Sequence, residues 1–345
     1  MLKPSDKVAI YMQNQLNGES GKMGFGAIRY LQNKIVAVID SAQVDQSINA
    51  FIDTKRDIPI IATIEEAKAL GANVLLLGIA PVGGKIPESW IPLIDSALDH
   101  GLSIINGLHD LLQPRYAEKL KAADSPWIWD VRVPTFIPTI GSAKALNHKG
   151  KRVLFVGTDG AVGKMTTALE LFSALKESNH KVGFVATGQI GITVTGRGIP
   201  LDAFKVDYAT GSVQAAVMEE AEKDIILIEG QGSLLNPGST ATLPLMRGSC
   251  PTHLVLCMRG DLSTLRDYPN IKIPNLKEFI KLNEALATVN GTYPAAKVIA
   301  VSVNTSKLDD AAAKAVLKRV ADEAGVPATD PVRYGTEVLY KALMG

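Results

Sequence analysis

The 345-residue chain reads as an α/β protein of two domains, each built on a parallel sheet. Three observations predict this. Short Val/Ile/Leu-rich runs alternate with helical patterns along the whole length. The runs lack polar alternation, as strands covered on both faces do. The alternation breaks once, at Pro134–Gly150, where prolines, glycines and small polar residues accumulate, and then restarts. The break divides residues 1–138 from 139–345.

In the first domain the expected strands are Lys7–Tyr11, Lys34–Ile39, Ile58–Ala62, Asn73–Leu77, Ser103–Asn106 and Trp127–Val131. Helices fit at Ile64–Leu70, with Glu65, Glu66 and Lys68 on the wet side, and at Trp90–His100. In the second domain Lys151–Gly157 is a strand and Gly163–Ser178 a helix. Further strands are expected at Lys181–Thr187, Asp224–Glu229, His253–Met258 and Lys297–Asn304, and helices at Ser212–Glu222, Leu276–Val289 and Asp309–Gly325.

Composition narrows the function. The 36 basic residues nearly cancel the 35 acidic ones, so nothing favours electrostatic capture of nucleic acid or of a membrane surface. No run approaches the roughly 18 apolar residues of a membrane span. Cys250 and Cys257 form no CxxC pair, which reads as buried thiols in a reducing compartment and as no metal site. The start of the chain lacks the apolar core and cleavage site of a signal peptide. The expected location is the cytoplasm.

The chemistry concentrates at Gly157-Thr158-Asp159-Gly160-Ala161-Val162-Gly163-Lys164-Met165-Thr166. An apolar strand enters this segment and a helix leaves it, the context of a phosphate-binding loop. Its backbone amides and the positive end of the helix would hold phosphate oxygens, and Lys164 would add a charge. One residue departs from the common G-x-x-x-x-G-K-[ST] pattern. Met165 stands where a hydroxyl ligates the Mg²⁺ of a nucleotide, and a thioether suits a hard cation poorly. Thr166 and Thr167 follow, but each next helical residue is rotated by about 100°.

The wording "GTD-x-x-VGK" is similar to the phosphate loop of dethiobiotin synthetase, and Ile225–Gly232 ("IILIEGQG") resembles that enzyme's strand ending in Glu-Gly-x-Gly. More closely, the whole chain resembles a bacterial family long catalogued only as a domain of unknown function. The carrying segments are Gly21–Leu31, Gly78–Pro87, Gly107–Leu112, Trp129–Pro134, the loop itself, Ala186–Ile192 and Asp330–Gly335. The resemblance implies a Rossmann-like N-terminal sheet and a P-loop NTPase-like, dethiobiotin-synthetase-like C-terminal sheet. It also implies D-glutamate N-acetyltransferase activity in D-amino-acid catabolism, with acetyl-CoA as co-substrate, and a homo-oligomer. Methionine after the loop lysine belongs to the family's pattern. It suits coenzyme A, whose phosphates are commonly bound without Mg²⁺.

Glu229 is the first candidate for the base that deprotonates the substrate ammonium, because burial at a strand end raises a carboxyl pKa. Asp159 and His109, the latter oriented by Asp110, are rivals. Substrate carboxylates call for cations, and Arg197, Arg132 and Arg333 follow strand-like segments. Lys22 lies in a glycine-rich loop whose spacing is not the dinucleotide fingerprint. Gln189, inside Ala186–Ile192, joins this set. The resemblance assigns Asn304, at a strand end, to the adenine. Two other classes stay open: an ATP-dependent kinase or ligase of the dethiobiotin-synthetase type, and a non-catalytic coenzyme or nucleotide sensor. Substrate stereochemistry is not readable from residue types.

Overall fold

The computed structural model describes residues 2–18, 20–122 and 124–345. The chain forms two compact units, one of residues 1–134 with 189–200 and one of 135–188 with 201–345. The expected division at 138/139 thus falls near the first crossing, but a short excursion of the second half, 189–200, belongs to the first unit.

The first unit holds six parallel strands: β1 (Lys7–Tyr11), β2 (Lys34–Ile39), β3 (Ile60–Ile61), β4 (Val74–Leu77), β5 (Ser103–Asn106) and β6 (Ile128–Asp130). Their order is β3-β2-β1-β4-β5-β6, that of a Rossmann-like sheet. Helices α1 (Lys22–Tyr30), α2 (Ile64–Ala69) and α3 (Ile91–Asp99) connect them. β3 is shorter than expected because Pro59 has no N–H to give; its carbonyl still accepts from Val38 N at 2.9 Å. α2 starts where Thr63 and Glu66 cap each other's backbone amides, at 3.2 and 3.1 Å. Under α2 and α3 lies a core that includes Leu75, Leu77, Ile94 and Leu98. Tyr11 meets Trp90 edge-on there, with ring centroids 5.2 Å apart.

The second unit holds β7 (Lys151–Gly157), α4 (Lys164–Glu177), β8 (Val182–Val185), α6 (Val206–Glu219), β9 (Ile225–Ile228), α7 (Thr242–Ser249) and β10 (His253–Arg259). After these come α8 (Leu276–Thr288), β11 (Lys297–Asn304), α9 (Asp310–Ala324), β12 (Ala328–Thr329) and α10 (Glu337–Met344). α5 (Gln189–Thr195) lies in the excursion and packs on α1. The six strands are parallel, in the order β12-β11-β10-β7-β9-β8. β7 and β10, near the centre, carry solidly apolar runs such as Val153–Val156 and Leu254–Leu256.

α6 begins at Val206, six residues before the sequence pattern places it. Gly211, which looks like a breaker, is there for contact: a Cβ on it would lie 1.6 Å from the Thr139 carbonyl oxygen. Among the described residues no helix is long and apolar enough to cross a membrane.

Candidate active site at the phosphate loop

β7 delivers the loop, and α4 leaves it from Gly163, whose φ of +104° a side chain would strain. The loop is braced by its own acid. Asp159 is 4% exposed, and its Oδ1 accepts from Gly160 N at 2.6 Å and from Asn236 Nδ2 at 2.7 Å. Its Oδ2 accepts from Arg266 N at 2.9 Å. With three donors holding both oxygens, Asp159 fixes the loop against two neighbouring segments, and this geometry is that of a brace rather than of a base.

Lys164 opens α4 and is buried, its Nζ donating to the Asp159 carbonyl at 2.7 Å. Burial pulls its pKa down to about 8, while Cys257, Asp159 and Glu229 pull the other way. The lysine is therefore charged at neutral pH but close to losing its proton. Met165 and Thr166 are half-buried on the first turn of α4. Thr167 points inward: its hydroxyl donates to Gly163 O at 2.9 Å and meets Ser302 Oγ at 2.7 Å. It does not replace the hydroxyl that Met165 displaces.

Glu229 directly follows β9, whose neighbour is β7, and is 3% exposed. Its Oε2 accepts from Thr187 N at 2.8 Å and Gly188 N at 3.2 Å, while Gln231 Nε2 lies 3.4 Å from Oε1. Desolvation raises its pKa to about 7, outweighing the two backbone amides and the Lys164 charge, all of which lower it. A carboxylate so poised accepts a proton near neutral pH. Thr187 also ties down the excursion: its hydroxyl donates to Glu229 O at 2.8 Å, and its carbonyl accepts from Leu201 N at 3.2 Å.

Asn304 ends β11, and its Oδ1 accepts from Ser306 N at 3.0 Å. Arg333 departs from its expected role. Its guanidinium donates to the Leu308 and Asp309 carbonyls at 2.7 and 3.2 Å, so it closes a turn. Beneath it, the buried Asp330 carboxylate gathers Thr305, Val332 and Arg333.

The remaining candidates lie in the first unit. Arg132 Nε donates to Gly107 O at 2.8 Å, and the Gln189 side chain packs on Gly107. His109 follows two residues later, and partial burial and the Arg132 charge lower its pKa, opposed by Asp110. The Asp110 carboxylate accepts from the backbone, Ile86 N at 2.8 Å. Lys22 opens α1 and Arg197 follows α5, both exposed. Sequence reasoning missed Asp130, whose buried carboxylate shapes the 106–113 loop through Asn106 Nδ2, Leu112 N and Gln113 N at 2.8, 3.0 and 2.9 Å. It also missed Asn236 and Arg266. A lone Asn or Arg in a loop carries no signal until the fold brings it to Asp159.

Comparison with known proteins gives a consistent picture. Residues 139–340 match the domain of unknown function described as the DUF1611_C P-loop domain, and residues 41–134 match the DUF1611_N Rossmann-like domain. A D-glutamate N-acetyltransferase of Tritonibacter scottomollicae is 39% identical over 284 residues, 81% of this chain and 84% of that protein. Another, of a Pseudoalteromonas species, is 36% identical over 278 residues, 80% and 82% of the two chains. The crystal structure of a DUF1611 family protein from Anabaena variabilis is 42% identical, with a TM-score of 0.94 over 99% of both chains.

Proposed function

The chain belongs to the DUF1611 family, and on that premise we propose that it is an N-acetyltransferase moving acetyl from acetyl-CoA to the amino group of D-glutamate. The relatives' named activity supports D-glutamate as acceptor and N-acetyl transfer as the reaction; acetyl-CoA as donor is part of the proposal. The observation that carries the reading is the pairing of a phosphate loop bearing Met165 with Glu229, whose pKa stands at about 7.

The loop amides and Lys164 hold the coenzyme's pyrophosphate, a role that needs no metal-ligating hydroxyl. The ammonium of glutamate loses a proton to Glu229 and becomes a nucleophile. Its nitrogen attacks the thioester carbonyl, a C–N bond forms and the C–S bond breaks. The attacking nitrogen gives up a second proton as the amide forms and the departing thiolate of coenzyme A takes one up, leaving N-acetylglutamate, the free thiol and the proton on Glu229. Thr187 N and Gly188 N fix one oxygen of Glu229, which aims the other. Arg132, Arg197, Lys22 and Gln189 are the proposed partners of the substrate's carboxylates, while His109, with its lowered pKa, is neutral at pH 7 and serves as a hydrogen-bonding group.

The test is acetyl-CoA consumption measured across D- and L-amino acids. The reading expects turnover with D-glutamate and little with other amines; turnover with none would remove it.

A further inference from the structure

With phosphates on the loop and, as the resemblance implies, the adenine on Asn304, an adenine coenzyme would lie across three adjacent strands of the second sheet. The phosphate loop leaves β7, Asn304 ends β11, and β10 runs between them. Neighbouring strands lie about 4.8 Å apart, so the loop and Asn304 are separated by about 10 Å. A pyrophosphate and its base bridge such a gap, with the ribose between them. The sugar then crosses the end of β10.

That end is Arg259. It stands in register with Asn304, and Gly260 N donates to Asn304 O at 3.0 Å. The side chain is 16% exposed and is gripped by Asp261 through two bonds, Nε to Oδ1 at 2.9 Å and Nη2 to Oδ2 at 2.5 Å. The Arg259 hydrogen bonds and charge hold the Asp261 carboxyl below its usual range, with a smaller contribution from the charge of Lys307, three residues beyond Asn304. The three side chains carry a net charge of +1, and the guanidinium is fixed in place before any ligand arrives. A planar guanidinium held this way loses little freedom when it binds an oxyanion.

We infer that Arg259 and Lys307 form a subsite for the phosphomonoester at the 3′ position of the coenzyme A ribose. The assignment rests on the acetyl-CoA reading above and deepens it. A phosphomonoester carries a charge of about −1.5 to −2 at neutral pH, whereas an ordinary adenine nucleotide has a hydroxyl at that position. The subsite therefore separates coenzyme A from ATP and ADP, whose phosphates the loop alone would accept. Asp261 orients Arg259 and keeps the pair from attracting every passing anion. A plain ion pair trimming the end of β10 would give no such discrimination.

Calorimetry with coenzyme A and 3′-dephospho-coenzyme A tests the subsite. The native protein should bind coenzyme A about tenfold or more tightly than the dephospho form, the effect of one charge-assisted contact. Arg259→Met and Lys307→Met should each reduce that preference and leave dephospho-coenzyme A affinity within about twofold of native, by the same principle that only the lost contact is charged for. Binding of the dephospho form also reports that each variant is folded. If Arg259→Met binds neither ligand, the exposed Lys307→Met decides alone. Equal native affinity for the two ligands, or equal weakening of both by Lys307→Met, overturns the subsite and leaves the acetyl-CoA reading standing. Failure of the native protein to bind either one overturns that reading and the subsite with it.

Discussion

Glu229 Oε2 and the backbone nitrogen of Thr187 stand 2.8 Å apart, and the acid is only 3% exposed. The amide favours the ionised form and burial disfavours it, and burial wins. The carboxyl consequently changes charge near pH 7.

Activity should follow that titration. Glu229 accepts a proton only when ionised, so kcat/KM rises as pH increases through about 7. Lys164 holds phosphate only when protonated, so kcat/KM falls above about 8. Glu229→Gln should remove the acid limb and lower kcat by roughly 10²–10⁴-fold. A pH–rate profile of the variant that keeps the limb would assign it elsewhere.

The same residue should cost stability. An acid whose folded pKa lies above its unfolded value weakens the fold as pH rises from about 4.5 to about 7. Each pKa unit corresponds to about 1.4 kcal/mol, so Glu229→Gln should stabilise the protein at pH 8 by up to a few kcal/mol. At pH 4 it should change little. Thermal melts at both values check this, and a variant less stable at pH 8 contradicts it.

Much of this site was legible in the sequence because it is local. The loop, Lys164 and Glu229 lie on short stretches whose strand and helix contexts the apolar pattern already marks. Other features depend on contacts between distant segments. Thr187 anchors the excursion only because Leu201 returns to its carbonyl. Gly211 sits inside α6 because Thr139 packs against it. Arg259 gains its meaning from β10 lying between β7 and β11, an order that spacing along the chain does not encode. Arg333 follows a strand-like segment, where a ligand cation is expected, but the Leu308 and Asp309 carbonyls hold its guanidinium.

Asp159 separates bracing from proton transfer. Asp159→Asn keeps an acceptor for Arg266 N but turns an NH2 toward both Gly160 N and Asn236 Nδ2, which share the other oxygen. It should weaken coenzyme binding by about 10-fold, the scale of one or two altered hydrogen bonds, and leave the acid limb of the pH–rate profile in place. The basic limb should move down, because Lys164 loses the Asp159 charge that raises its pKa. Loss of the acid limb would make Asp159 the base.

Substrate and coenzyme should respond to different cations. Lys164→Ala should weaken acetyl-CoA binding by roughly 10- to 150-fold, one charge-assisted phosphate contact, with little effect on glutamate. Arg197→Ala should raise the glutamate KM and spare the coenzyme, while Arg333→Ala should alter neither. Calorimetry and steady-state kinetics distinguish the three; an unchanged KM removes Arg197 from the pocket.

The most direct test of the account is the metal dependence of the native protein's turnover, with acetyl-CoA and D-glutamate in one assay and ATP in another. If the Met165 loop serves coenzyme phosphates without a metal, acetyl transfer proceeds at the same rate in EDTA and in Mg²⁺, and ATP is not hydrolysed. Absence of acetyl transfer, together with Mg²⁺-dependent ATP hydrolysis, would contradict it and put a kinase or ligase in its place.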